Sequence, residues 1–233
     1  MRIPALLFLL ASPAFAEGPP VELFNGKDLT GWRTPLGTWS VVEQVQIDPA
    51  DPRAFIAKAG KGILLNSAGS HTVDALTERE HGDCKLHVEF CVPKGSNSGV
   101  YLMGRYEVQI LDSFGKGKPG PGDCGGLYER WIGEKGVGGR APDVNASKPA
   151  GEWQTFDITF RAPRFDAAGK KTENAKFIEV KHNDQVVHAN AEVDGPTRSA
   201  RYNEEKATGP LMLQGDHGPV AFRNLRLEEV TLP

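Results

Sequence analysis

The feature that most constrains this chain is a period of two in its apolar residues. Across residues 85–92, Leu86, Val88, Phe90 and Val92 point one way and mostly polar residues the other. Across 105–111, Tyr106, Val108 and Ile110 share one face and Arg105, Glu107 and Gln109 the opposite one. The same alternation runs through Gln154, Phe156, Ile158 and Phe160. Runs at 176–182 and 185–192 are joined by Asn183-Asp184, a two-residue hairpin turn tolerant of positive φ. Further strands are expected at 100–103, 210–214 and 220–230. No segment carries a convincing amphipathic-helix pattern. With 27 Gly and 17 Pro, a helix bundle or coiled coil is excluded, and the chain reads as all-β, a sandwich or jelly roll.

Residues 1–16 have the plan of an export signal. Arg2 supplies the positive start, Ile3 to Leu10 an apolar run, and Ala14-Phe15-Ala16 a small-x-small cleavage site. The apolar run is too short to span a bilayer, and no later stretch approaches that length. The expected product is an exported, periplasmic or extracellular domain over 17–233. A net charge of −3 and a pI near 6.1 give no basis for a nucleic-acid partner.

Three cysteines remain, Cys84, Cys91 and Cys124. Cys84 and Cys91 lie seven residues apart on one strand, roughly 23 Å when extended, beyond disulfide range. A bridge from Cys124 to either stays open. No zinc spacing occurs. A calcium-like divalent cation, held by loop carbonyls and Asp, is possible, but no cofactor is firmly expected.

One stretch breaks the strand pattern. Residues 113–151 are rich in Gly and Pro and contain Tyr128 and Trp131. Loops of that length are usually functional or disordered, and both rings offer an apolar face with a polar edge.

Six segments, taken in order, carry a resemblance. They are Leu-Phe-Asn-Gly-Lys-Asp-Leu-Thr-Gly-Trp at 23–32, Ser-Asn-Ser-Gly-Val-Tyr-Leu at 96–102, and Arg-Tyr-Glu-Val-Gln-Ile-Leu-Asp at 105–112. Gly-Glu-Trp-Gln-Thr-Phe-Asp follows at 151–157, then Phe-Arg-Ala-Pro-Arg-Phe-Asp at 160–166. The last is Leu-Gln-Gly-Asp-His-Gly-Pro-Val at 213–220, with Phe-Arg-Asn at 222–224. Together they resemble the 3-keto-disaccharide hydrolase family over nearly all of residues 21–230. The resemblance implies a concanavalin A-like jelly roll of two antiparallel sheets with a concave sugar-binding face. It also implies cleavage of glycosides whose sugar was oxidised at carbon 3 by a separate oxidoreductase. Residues 48–61 depart from it, as a longer connection than usual.

A ketone at carbon 3 acidifies the hydrogen at carbon 2. A base can remove that proton, and the enolate can then expel the group at carbon 1. Glu107 is the candidate base, Arg105 the charge stabiliser and Gln109 a hydroxyl ligand, with Asp112 an acid or orienting group. A solvated face holding an Arg–Glu pair is the competing reading. His217, beside Asp216 in a Gly-flanked turn, suits proton transfer, and Gln214 precedes it as a binding candidate. Tyr128 and Trp131 complete the expected substrate contacts. His87 with Glu89, and Asp157, are weaker candidates. His71, His81, His182 and His188 lack supporting partners in the sequence. A lectin-like module on the same scaffold is the alternative function. A conventional glucanase is disfavoured because Glu107-x-Gln109-x-x-Asp112 puts an amide where a second carboxylate belongs.

Overall fold

The computed structural model describes residues 19–67 and 72–233. The expected export signal at 1–16 and His71 lie outside them. The described residues hold no helix, and their strands form two antiparallel sheets stacked as a jelly-roll sandwich, with two small hairpins.

The larger sheet contains β1 (Val21–Glu22), β2 (Trp39–Ile47), β3 (Phe55–Asn66), β5 (Cys84–Cys91), β10 (Gln154–Arg161), β13 (Ala175–His182), β14 (Gln185–Val193) and β16 (Val220–Glu229). Its order is β14-β13-β10-β5-β16-β3-β2, with β1 also on β16. The smaller sheet contains β4 (Ala75–His81), β6 (Asn97–Leu102), β7 (Tyr106–Leu111) and β15 (Gly209–Leu213), in the order β4-β15-β6-β7. The hairpins are β8 (Arg130–Ile132) with β9 (Lys135–Val137), and β11 (Arg164–Phe165) with β12 (Lys171–Glu173).

Alternation explains the layering. Phe90, Phe156, Phe160, Phe177 and Phe222 from the larger sheet meet Tyr106, Val108, Ile110, Val100, Leu102 and Leu213 from the smaller one. The Tyr106 and Phe160 rings, one from each sheet, lie 5.5 Å apart between centroids, a favourable aromatic separation. The expected turn at Asn183 and Asp184 has φ of 49° and 66°, and His182 pairs with Gln185. Two consecutive left-handed residues match the right-handed strand twist.

Three sequence expectations change. Much of segment 48–61 is strand: Asp48 to Ala54 turn the chain, with Asp48 N–H donating to Ala54 O, and Phe55 begins β3. Past a bulge at Val42, this hairpin packs Val45 and Phe55, with Trp153, on Val42, Ile63, Leu65, Cys91 and Ala221 across the outer face. The three cysteines are buried and free. His81, His182 and His188 do have partners: His81 meets Met103 N and Gly82 O, His182 meets Gln154 Oε1, and His188 meets Gly125 O.

The long segment is not an open loop. Gly125 N–H donates to Gln109 O, Gln109 N–H to Gly126 O, and Tyr128 N–H to Glu107 O. Leu127 bridges both Val108 and Arg140. The segment therefore closes the outer edge of β7, satisfying backbone groups an edge strand would leave open.

Candidate active site

The side of the smaller sheet that faces away from the core is a grid set by register. Met212 pairs with both Leu76 and Tyr101, and Tyr101 with Glu107, so these four form one row. The next row runs through Gln214, whose N–H donates to Gly99 O, then Gly99 and its partner Gln109. Leu76, Met212 and Tyr101 make an apolar half with Tyr202. The polar half opens into a cleft of about 250 Å³ lined by Asn97, Tyr101, Glu107, Gln109, Gln214 and His217 on one side. Tyr128, Arg198 and Ser199 close it from the other. The volume is below the roughly 300–1,000 Å³ of drug-sized pockets, and it suits a single sugar ring.

Glu107 sits on the floor, 2% exposed. Burial pushes its carboxyl up to about 8, the negative charges of Asp216 and Asp74 act in the same direction, and a hydrogen bond from Tyr101 opposes them. The Tyr101 hydroxyl is itself pushed far above its ordinary range by burial and by Glu107, so it remains a donor. Arg198 O, 3.4 Å away, is the other acceptor within reach of its single proton.

Gly99 makes room for this carboxyl. A Cβ on Gly99 would meet Glu107 Oε1 at 2.3 Å. Beside it, the buried oxygens Gln109 Oε1 and Asn97 Oδ1 have no hydrogen-bond partner, and orphaned acceptors of this kind call for a donor from a ligand or water. Sugar hydroxyls are such donors.

His217 overhangs the mouth, its Nδ1 on Asp216 Oδ1. Asp74, absent from the sequence expectations, accepts from Gly215 N–H at 3.0 Å and has its carboxyl raised by burial. Its place next to Gln214 follows from the β4–β15 register, which sequence periodicity within one strand does not reveal.

Other expected residues lie elsewhere. Arg105 follows Met103 and Gly104, both at positive φ, and this turn swings its side chain out of the Glu107 row. Its guanidinium donates instead to the carbonyls of Glu204, Met103 and Thr208 in a separate cleft with Glu80, Arg201 and Tyr202. Arg198 lines the cleft wall, and its carbonyl lies 3.4 Å from the Tyr101 hydroxyl. Asp112 accepts from Gly95 N–H at 2.9 Å and holds the β5–β6 turn. Trp131 stands outside the cleft, 49% exposed, with the Arg198 guanidinium 4.1 Å above its ring. His87 and Asp157 pair at 2.7 Å on the outer face of the larger sheet, where His87 Nε2 lies 3.9 Å from Glu89.

Among the described residues no group of three or more His, Cys, Asp or Glu side chains is arranged to hold a metal ion.

Two solved structures from Parabacteroides distasonis, both given a provisional glycosyl-hydrolase designation, share the fold. One is 23% identical, with a TM-score of 0.67, covering 97% of this chain and 95% of that one. The other is 20% identical, with a TM-score of 0.60, covering 91% and 100%. No curated protein matches. The family model described as the 3-keto-alpha-glucoside-1,2-lyase-like domain matches residues 19–228. Spanning nearly the whole described chain, that match identifies it as a member of the 3-keto-alpha-glucoside-1,2-lyase-like family.

Proposed function

We propose that this cleft cleaves 3-keto-glycosides by elimination. The observation that carries the reading is Glu107, a buried carboxyl held near 8 on the floor of a sugar-sized polar cleft. A base of that strength suits removal of a proton made acidic by an adjacent ketone. Glu107 takes the carbon-2 proton and the electron pair moves toward the carbon-3 oxygen. Arg198 and the Tyr101 hydroxyl face the cleft and stabilise the enolate. The enolate then re-forms the ketone, a double bond forms between carbons 1 and 2, and the bond from carbon 1 to the leaving oxygen breaks. His217, held through Nδ1 by Asp216, delivers a proton to that oxygen. Water adding across the double bond completes net hydrolysis; without it, the unsaturated keto-sugar is the product. Asn97, Gln109 and Gln214 hold sugar hydroxyls.

The chain acts after export, downstream of an oxidoreductase that makes the ketone, because the elimination needs an acidic carbon-2 hydrogen and an unoxidised sugar lacks one.

The test is incubation of the 17–233 chain with 3-keto-trehalose or 3-keto-sucrose beside the unoxidised sugars. Turnover of the keto forms alone, lost in Glu107→Gln, is expected. Binding without turnover would instead assign a lectin-like module. In deuterated water the recovered keto-sugar carries deuterium at carbon 2; its absence would count against elimination.

A further inference from the structure

Arg105 is 3% exposed and does not line the reacting cleft. Every polar contact it makes goes to main chain. Its Nε donates to Glu204 O at 2.7 Å, and Nη1 donates to Met103 O at 2.8 Å and Thr208 O at 3.4 Å. Its own carbonyl accepts from Thr197 N–H at 2.8 Å and from Thr197 Oγ1 at 3.0 Å. The guanidinium also lies 5.0 Å over the Tyr202 ring. One residue therefore grips the 194–208 segment at three separated points.

Between those grips the segment delivers Arg198 and Ser199 to the cleft. Arg198 N–H donates to Glu129 O at 2.7 Å, tying the segment to the chain beside Tyr128, and Arg201 N–H donates to Gly104 O at 3.0 Å. Ser199 has φ of 63°, a left-handed conformation that a residue with a side chain keeps where its surroundings enforce it. Room for the grip is also provided: a Cβ on Gly209 would meet Arg105 Nη1 at 2.5 Å and Met103 O at 2.4 Å.

We propose that Arg105 is a positioning residue, whose main-chain clamp on segment 194–208 holds Arg198 and Ser199 over Glu107. The proposal rests on the cleft being the reacting site, but the state of the segment is measurable without any substrate. Lysine keeps the charge and can reach one carbonyl, not the set of three that the planar guanidinium fork serves.

The experiment compares wild type with Arg105→Lys and Thr197→Val. Hydrogen exchange of peptides spanning 194–208 and the emission of Trp131, taken as the difference from Trp131→Phe, report the segment; kcat and KM on a 3-keto-glycoside report its effect. For Arg105→Lys, faster exchange confined to 194–208, a shifted Trp131 emission and a kcat lowered about tenfold or more are expected, since small misplacements of reacting groups cost rates of that order. Thr197→Val shows the same pattern more weakly, and decides the matter if the lysine variant does not fold. Exchange raised equally throughout the protein would overturn the proposal in favour of general stabilisation. Unchanged exchange, or a loosened segment with kcat intact, would overturn it as well. Absence of wild-type turnover would refute the proposed reaction and leave the exchange and emission results to judge the clamp.

Discussion

The carboxyl of Glu107 lies over the α-carbon of Gly99 on the neighbouring strand, so close that a single methyl there would meet Oε1 at 2.3 Å. Gly99→Ala should therefore push the carboxyl off its floor position. Loss of about 10²-fold in kcat is expected, with a stability cost of about 1–3 kcal/mol from overpacking. Steady-state kinetics and urea unfolding on the same sample separate the two; full activity in the alanine variant would show that the carboxyl's placement is unimportant.

The elevated Glu107 carboxyl gives two pH signatures. Acting as a base, it makes kcat/KM rise as pH increases through about 8. Because its folded value lies above the unfolded one, its contribution to stability is intact below about 4.5 and is lost as pH rises through about 8. The loss is on the order of a few kcal/mol. Glu107→Gln should remove both the kinetic limb and this alkaline slope, which chemical denaturation from pH 4 to 9 would reveal. A rate that falls through the same range would make Glu107 the acid instead.

Buried histidines set the opposite limb. Burial lowers His81 and His182 to about 4, so each is neutral in the folded protein. The stability they hold is present above about 6.5 and is lost as pH falls toward 4, on the order of a few kcal/mol for each. Replacing His182 by Gln, which keeps a polar group beside Gln154, should flatten the acid side of the stability curve. An identical acid limb in the variant would assign the loss to other groups.

Arg198 lines the cleft, its guanidinium rests over the Trp131 ring, and the proposed reaction gives it the enolate's charge to stabilise. Arg198→Ala is expected to lower kcat by about 10²–10³-fold, the scale of removing one preorganised stabilising group. Trp131→Ala should have a milder effect, because a cation–π contact at an exposed ring is worth about 0.5–1 kcal/mol. Comparable kinetics in wild type and Arg198→Ala would move enolate stabilisation to Tyr101.

Much of this architecture was legible from alternation alone. The strands bearing Leu86 to Phe90, Tyr106 to Ile110 and Phe156 to Phe160 fall where their periodicity places them, and the Asn183-Asp184 turn adopts the expected conformation. Glu107 and Gln109 share a face because period two holds within β7. Arg105 escapes because that period ends at the Met103-Gly104 turn, and no rule for strands extends past a pair of left-handed residues. Asp74 comes within electrostatic reach of Glu107 through register with β15, and Arg198 reaches the cleft through the 194–208 segment, relations between distant stretches that a single sequence does not display. The partners of His81 and His182 were hidden for the same reason. Segment 48–61 showed no strand signal because its strand residues, running into Gly60, lack a clean alternation.

The pairing of segment 113–151 along β7 divides labour in a way that bears on how such enzymes diversify. The carboxylate, its glycine neighbour and Gln109 belong to strands paired within the smaller sheet, whereas Tyr128 comes from a stretch laid along β7 by backbone bonds. On the proposed reaction, insertions or exchanges within that stretch would reshape which aglycones are admitted while leaving the reacting groups untouched. Selection can thus alter appetite without rebuilding chemistry.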